Sequence, residues 1–353
     1  MMLGDLGAEV IKVEPPNGDT ARRLGPPFLK GESTLFMSLN RNKKSVTVDL
    51  KTAAGRARAT QLIDGADILI ESFRPGVADR LGIGFGKASA RNPKLLYCSI
   101  SAYGQRGPWS DRPGVDGALQ AISGLMSING HQDAPPAKIQ APIVDMVTGY
   151  QAAVSIMAAL WKHRESKSAI HLDISLFSSA LALQQIPFSS YLMTGDLPRK
   201  SGSGAPYASP NEAYATLDGY ILLAAYQDTH WNRLCDAIDR PQLCTDPRFA
   251  TLTKRMENRP ALSVELETVF GTRSTLVWAD LLSAHGLICT PVAEYDEVAT
   301  SPQIAAAGLL SNMEHPTLGP ITMFGGSLGG CALPVTYAPP LLAPIDDDQG
   351  WDT

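Results

Sequence analysis

The sequence predicts an α/β protein, with a Rossmann-like large domain built on a parallel sheet and a smaller α+β domain. Short runs rich in β-branched and aliphatic residues alternate with helical patterns through the first half of the chain, the pattern of strands joined by crossover helices. The glycine- and proline-rich stretch Gly195 to Pro210 interrupts that alternation. Beyond it a new unit opens on a hairpin-like segment. At 353 residues the chain is long for a single core, and its 44% apolar content is enough to fill two.

Met1 to Gly7 reads as the tail of a helix ending at Gly7, too short to stand alone, so the sequence is expected to begin inside a domain whose first strand it lacks. Strands follow at Ala8 to Val13, Ser45 to Leu50, Ala66 to Ile70 and Leu95 to Ile100, with an amphipathic helix over Lys51 to Asp64. Asp116 to Met126 and Met146 to Arg164 are helical, separated by the turn-rich Asn129 to Asp133. A strand at His171 to Ser175 leads into a helix through Gln185. In the second unit a hairpin at Tyr214 to Leu223 precedes helices at Thr229 to Ile238, Pro260 to Phe270 and Thr275 to His285. The large domain is expected over 1–195 and 326–353, and the linker with the small domain over 196–325. In parallel sheets ligands bind beyond the carboxyl ends of the strands, which points to Glu71 to Gly76 and Ser101 to Gln105.

A net charge of -5 with scattered cations gives no surface for nucleic acid; the basic run Arg41 to Lys44 is short. Five cysteines without metal spacing or a Cys-x-x-Cys pair argue against a disulfide framework and a zinc site, and the histidines are too dispersed to form a ligand pair. No run reaches the ~18 to 20 continuous apolar residues of a membrane span, and no signal peptide is evident. These features predict a soluble, cytoplasmic protein acting on small molecules, without a metal or a membrane.

Asp145 is the residue on which the chemistry turns. It follows Pro142-Ile143-Val144 and opens a long apolar helix. A carboxylate so placed can serve as a nucleophile. It can equally be a helix cap, accepting amide hydrogens of the first turn. Asp116 and Gln120, one helical turn apart, read as supports near a pocket. Gly325 to Gly330 lacks the Lys-Ser or Lys-Thr of a phosphate loop and reads as a turn; Gly82 to Gly86 follows a helical patch, which argues against a nicotinamide enzyme.

Taken in order, several segments resemble the family III CoA-transferases, the CaiB/BaiF-type group that includes formyl-CoA transferase and carnitine-CoA transferase. They are Leu3 to Pro16, Gly18-Asp19 with Arg22, Leu39 to Ser45, Glu71 to Gly76, Asp116 through Gln120 to Gly124, and Val144-Asp145 with Gly149. Asp246 to Phe249 and His315 to Pro320 extend the match into the second unit. The resemblance implies CoA transfer between an acyl-CoA and a carboxylic acid, with coenzyme A entering as substrate and Asp145 as the nucleophile. An aspartyl mixed anhydride and an aspartyl-CoA thioester would be its intermediates. It places Tyr103 close to the reacting groups and assigns CoA contacts to Arg22, Leu39, Lys43, Ser72, Phe73, Arg80, Leu81 and Tyr103. Arg22, Arg80 and Lys43 would meet phosphates, and Phe73 and Leu81 would wall the adenine. Amides of a glycine segment are needed for the tetrahedral oxygen, and Gly202 and Gly204 are the candidates, with a plain flexible linker as the other reading. The family further implies an interlocked homodimer.

The related α-methylacyl-CoA racemases carry histidine just before the aspartate that is Asp116 here; this chain has Val115, which cannot exchange a proton. An isomerase is therefore the second reading. A catalytically silent CoA-binding homologue is a third. Other departures from the family pattern are the absent first strand, Ser203 and Asn211 in the linker motif, and a C-terminus lacking the usual glycine-glutamate-histidine ending, where Asp346 to Asp348 reads as disordered.

Overall fold

A computed structural model describes residues 1–166, 168–325, 330–331 and 337–343. Most of the glycine turn after Phe324 and the acidic tail fall outside these residues. The chain forms two compact units, the first from 1–123, 140–188 and 300–353, the second from 124–139 and 189–299.

In the first unit the strands Ile68–Glu71, Leu96–Ser101 and Ile170–Ser175 pair in parallel, with Leu96–Ser101 in the centre. That strand is buried along almost its whole length, so its sequence is nearly continuous in apolar or small residues instead of alternating. Ile11–Glu14 and Lys44–Thr47 also pair in parallel but form a separate two-stranded sheet. The parallel pairing thus follows expectation, while the first four strands divide between two sheets. Thr52 caps the helix Ala53–Asp64 by accepting the Gly55 amide at 2.9 Å, and Ala59 and Ile63 pack on Val48, Leu95 and Tyr97.

The helix Ile143–Ser166 turns Ala152 and Ile156 onto Cys98 of the central strand, joined by Ile100, Leu172 and Ile174. Small residues there allow close approach of helix and sheet. By length and mean apolarity Ile143–His163 would also reach across a bilayer, a property that the search for continuous apolar runs does not reveal; about a third of it is buried in the chain. Asp116–Met126, expected as one helix, is two: Asp116–Ile122 and Leu125–Ile128, broken at Gly124, whose φ of 88° is left-handed.

The division of the chain differs from the expected boundaries at both junctions. The segment 124–139 groups with the second unit, and 300–325 with the first. Side-chain chemistry explains the latter. The antiparallel pair Leu310–His315 and Gly319–Phe324 is tied down by Arg41, which is 1% exposed. Its guanidinium donates to Phe324 O at 2.6 Å and Gly325 O at 3.1 Å while holding the buried Asp5 carboxylate at 2.7 Å. A charge this deep needs such partners.

The second unit is α+β. Its antiparallel sheet places Tyr220–Ala224 between Asn211–Ala215 and Ile288–Pro291, the last a strand that sequence reading misses. Helices Asp228–Ala237, Arg259–Phe270 and Thr275–Ala284 cover it through Tyr214, Leu223, Trp231, Leu266, Phe270 and Trp278.

Candidate active site

Within the first unit an open cleft of about 830 Å³ lies beyond the carboxyl ends of the parallel strands. Its walls come from three pieces of chain. Ser72 to Pro75 follow the first strand of the sheet, Ile100 to Ala102 and Ser110 to Ala118 follow the second, and Asp145, Thr148 and Gly149 begin the long helix, with Leu176 beside them. Glu71 shapes the first wall: its Oε2 accepts the Phe73 amide at 2.7 Å and closes the turn out of the strand. Gly76, at φ 77°, then starts the helix Val77–Leu81.

The first turn of the long helix settles how its unpaired amides are met. Asp116 Oδ2 accepts the amides of Val144 at 2.8 Å and Asp145 at 3.2 Å, and its Oδ1 accepts Gln120 Nε2 at 2.6 Å. Asp116 is therefore the capping carboxylate, supplied by a different helix. Asp145 lies inside the turn, two residues past the helix start, and its carboxylate accepts no hydrogen bond among the described residues. Counted over the whole residue Asp145 is exposed, because it faces an open cleft. Burial by the atoms crowding its carboxyl nevertheless pushes its pKa up, and the like charge of Asp116 adds to the rise. The positive end of the helix works in the other direction and favours the anion. What results is a bare carboxylate on a rigid element beside Gly149, where an added Cβ would meet nothing within 4 Å.

Of the residues singled out in the sequence, Ser72, Phe73 and Asp145 line this cleft together. Phe73 and Leu81 also pack against one apolar cluster around Ala78 and Tyr97, as two parts of one wall would. Arg80 is exposed on its short helix. Tyr103 is not among the cleft's lining residues; its ring joins Trp109 at 5.6 Å and Phe177 at 5.9 Å in an aromatic cluster beside Ala102.

Arg22 and Lys43 gather elsewhere in this unit. Arg22 forms a two-point pair with the buried Glu14, at 2.8 and 2.7 Å, and its guanidinium lies 3.9 Å from the Phe36 ring centroid. Burial alone would raise the Glu14 carboxyl, but the bonds from Arg22, the Asp19 amide and Ser45 outweigh it and hold the pKa below the ordinary value. Lys43 Nζ donates to Asn40 Oδ1 at 2.8 Å; burial, then the charge of Lys12, brings its pKa down to about 8. Leu39 ends the helix Thr34–Leu39 and is exposed.

Gly202 and Gly204 belong to the second unit, and both amides are already engaged there. Gly202 N–H donates to Gly130 O at 3.0 Å and Gly204 N–H to Ser201 O at 2.9 Å. Service as oxyanion donors would require these bonds to open first. Gly202, at φ 62° and with His131 Nδ1 2.9 Å from the place of a Cβ, has a structural reason to be glycine.

Arg74 lines the cleft as part of the Glu71 to Gly76 segment that its place after a strand points to, whereas sequence reading overlooked Arg112, Thr148 and the exposed Val115 as cleft residues. Arg112 stands in an aperiodic loop that carries no such signal.

Comparison with known proteins agrees with this architecture. The family described as CoA-transferase family III matches residues 1–343. A succinyl-CoA:glutarate CoA-transferase from Mus musculus is 35% identical over 345 residues, 97% of this chain and 79% of the relative. An acetyl-CoA:oxalate CoA-transferase from Acetobacter aceti is 35% identical over 311 residues, 88% and 80% of the two chains. The crystal structure of a CAIB/BAIF family protein from Brucella suis superposes with a TM-score of 0.86 at 31% identity, covering 96% of this chain and 90% of that one. On the fold, the matched length and these relatives, the chain belongs to CoA-transferase family III.

Proposed function

We propose that the protein moves CoA reversibly between an acyl-CoA and a carboxylic acid, with Asp145 as covalent nucleophile. The observation that carries this reading is the unpartnered Asp145 carboxylate, held in the cleft by a helix whose cap is provided by Asp116. A carboxylate is a weak base, yet it suffices here because the group it displaces is a thiolate, itself a good leaving group.

One Asp145 oxygen attacks the thioester carbonyl carbon, the C–S bond breaks and the thiolate takes the electron pair, leaving an aspartyl-acyl anhydride. The thiolate then attacks the aspartyl carbonyl carbon and expels the donor acid as its carboxylate, which leaves an aspartyl-CoA thioester. An acceptor carboxylate reverses the two steps. No proton need move, in keeping with a cleft that no histidine lines among the described residues. Racemisation, by contrast, needs an acid and a base on opposite faces of the substrate, and Val115 occupies one of those places. Ser72 and Phe73 flank the acyl-CoA in this reading, with Arg80, Leu81, Lys43, Arg22 and Leu39 as further CoA contacts.

A second copy of the chain is proposed as the cover for the apolar face of the long helix, where Met146, Tyr150, Val154 and Met157 are exposed in one row. Lipid is the poorer partner, since Asp145 and Lys162 lie within the same 21-residue window and the opposite face packs on the sheet.

Mass spectrometry tests the chemistry. After incubation with a panel of acyl-CoAs, the peptide Ile139 to Lys162 should carry an acyl or CoA adduct that disappears on adding acceptor acid. Uptake of solvent deuterium at the α-carbon without transfer would identify an isomerase, and CoA binding with neither reaction a silent homologue.

A further inference from the structure

The cleft holds more positive charge than its chemistry requires. Arg74 and Arg112 both line it, and neither side chain makes an ion pair or hydrogen bond among the described residues. They differ in what they are attached to. Arg74 directly follows Ser72 and Phe73, the wall assigned to acyl-CoA. Arg112 is joined to the nucleophile instead: it stands four positions before Asp116, whose carboxylate accepts the Asp145 amide at 3.2 Å.

Arg112 is also pre-positioned. Its amide donates to Trp109 O at 2.9 Å, closing a turn, and its guanidinium lies 5.0 Å from the Trp109 ring centroid. Trp109 in turn packs edge-on to Phe177 at 5.7 Å and Tyr103 at 5.6 Å. A guanidinium stacked on a fixed ring loses little freedom on meeting an anion and keeps its fork of donors for a two-point contact. Val115 and Ala118, which line the same cleft as Arg112 and Asp145, carry no charge, so the cleft offers apolar surface to an aliphatic spacer.

From this arrangement we propose that Arg112 binds the distal carboxylate of a dicarboxylic acid whose other carboxylate exchanges CoA with Asp145, making short-chain diacids the preferred substrate class. The inference rests on the transfer reading above and adds the acid to it. Tyr103 acquires a part as well: it supports the platform on which Arg112 lies, which accounts for an aromatic residue near the cleft but outside its lining.

The test uses acetyl-CoA as donor, a thioester with no distal charge, and compares succinate, glutarate and butyrate as acceptors in the wild type, R112Q and R112K. The wild type should transfer to succinate or glutarate at least tenfold more efficiently than to butyrate. R112Q should lower that ratio ten- to hundredfold, through KM for the diacid, and R112K should restore part of it, because a lysine keeps the charge but not the fork. A wild-type preference for butyrate, or a proportional loss on all three acids in R112Q, overturns the proposal. A rise in KM for acetyl-CoA with the acid ratio unchanged also overturns it, by placing the guanidinium on a CoA phosphate. These failures leave transfer itself standing; absence of transfer and of an Asp145 adduct in the wild type removes the underlying reading and this inference with it.

Discussion

Replacing Asp145 by asparagine separates nucleophile from cap within one variant. The side chain keeps its size, and the backbone amide keeps its bond to Asp116 Oδ2 at 3.2 Å. No hydrogen bond to the Asp145 carboxylate is lost, since none is made among the described residues. Two small terms oppose each other: the helix end loses a favourable negative charge of about 0.3 to 1 kcal/mol, while the repulsion from Asp116 that helps raise the Asp145 pKa disappears. A carboxyl whose folded pKa is raised binds its proton more tightly in the folded state. It stabilises the fold only while protonated, at low pH, and loses that contribution as pH rises through the folded pKa. At neutral pH the ionised Asp145 is therefore no source of stability, and D145N should unfold within about 0.5 kcal/mol of the wild type in urea. Transfer should fall at least about a thousandfold, or roughly 4 kcal/mol of barrier. The assay pairs chromatographic detection of acyl-CoA exchange with urea denaturation, and D145A controls for deamidation of the asparagine. Retention of transfer within tenfold would refute the nucleophile. A stability loss of about 1 kcal/mol with activity intact would return Asp145 to the capping role.

Other outcomes follow from the same geometry. Asp116→Ala strips the cap from the long helix and should cost about 1 to 2 kcal/mol in urea melts, with transfer reduced because Asp145 loses its anchor. Asp116→Asn removes a charge that raises the Asp145 pKa, so the acid limb of the pH–rate profile should move to lower pH; an unmoved limb would show that Asp145 is not the titrating group. Arg22→Ala leaves Glu14, 1% exposed, without its two-point partner and should destabilise by about 3 kcal/mol. Because Glu14 has a lowered folded pKa, the stability it contributes is present above its unfolded pKa and lost as pH falls through the folded one, so the variant's deficit should shrink in acid. Gly149→Ala lies in a helix with open space around its new methyl and should raise stability by about 0.5 to 1 kcal/mol, while Gly149→Leu should block transfer by filling the cleft. Lys43, at a pKa of about 8, is charged below that value, so CoA affinity measured by calorimetry should weaken from pH 7 to 9 in the wild type and not in Lys43→Ala.

Local chemistry was legible in the sequence and long-range bookkeeping was not. The strand around Cys98 announces itself because a strand buried on both faces must be almost continuously apolar, whereas Ile170–Ser175 shows instead the alternation of a half-exposed strand. Asp145 stands out for the same local reason, as a charge closing an apolar tripeptide. By contrast, the helix containing it begins at Ile143 and takes its cap from Asp116, 29 residues earlier, a relation that no window of sequence displays. The hairpin Leu310–His315 with Gly319–Phe324 falls on the small-domain side of the expected boundary for a similar cause. Alternation of exposed and half-buried positions makes each strand weak on its own, and what assigns the pair to the first unit is the contact between Arg41 and the Phe324 carbonyl. Arg41 itself was read as part of a basic surface run, whereas burial against Asp5 gives it a structural task. Of the cleft residues, Ser72 and Phe73 came through their motif, while Arg112 and Val115 had only their place in the fold to identify them.

The pairing of Asp116 with Asp145 shows why two carboxylates so near one another need not share a task. The amides of Val144 and Asp145 at the helix start both go to Asp116, which also receives a glutamine side chain and so stays fixed. Asp145 receives none, and its charge is crowded by burial and by the neighbour it repels. Hydrogen bonds to a carboxylate stabilise the anion and lower its readiness to share electrons with carbon. A nucleophile is best left without them. The cost of keeping one carboxylate bare is met by the helix's positive end and by the second carboxylate that orders the turn, so reactivity at Asp145 and order at Asp116 are two consequences of one arrangement. Moving the bonds from one to the other, for example by a substitution that lets Gln120 reach Asp145, should lower the rate of acylation while leaving the fold as stable as before.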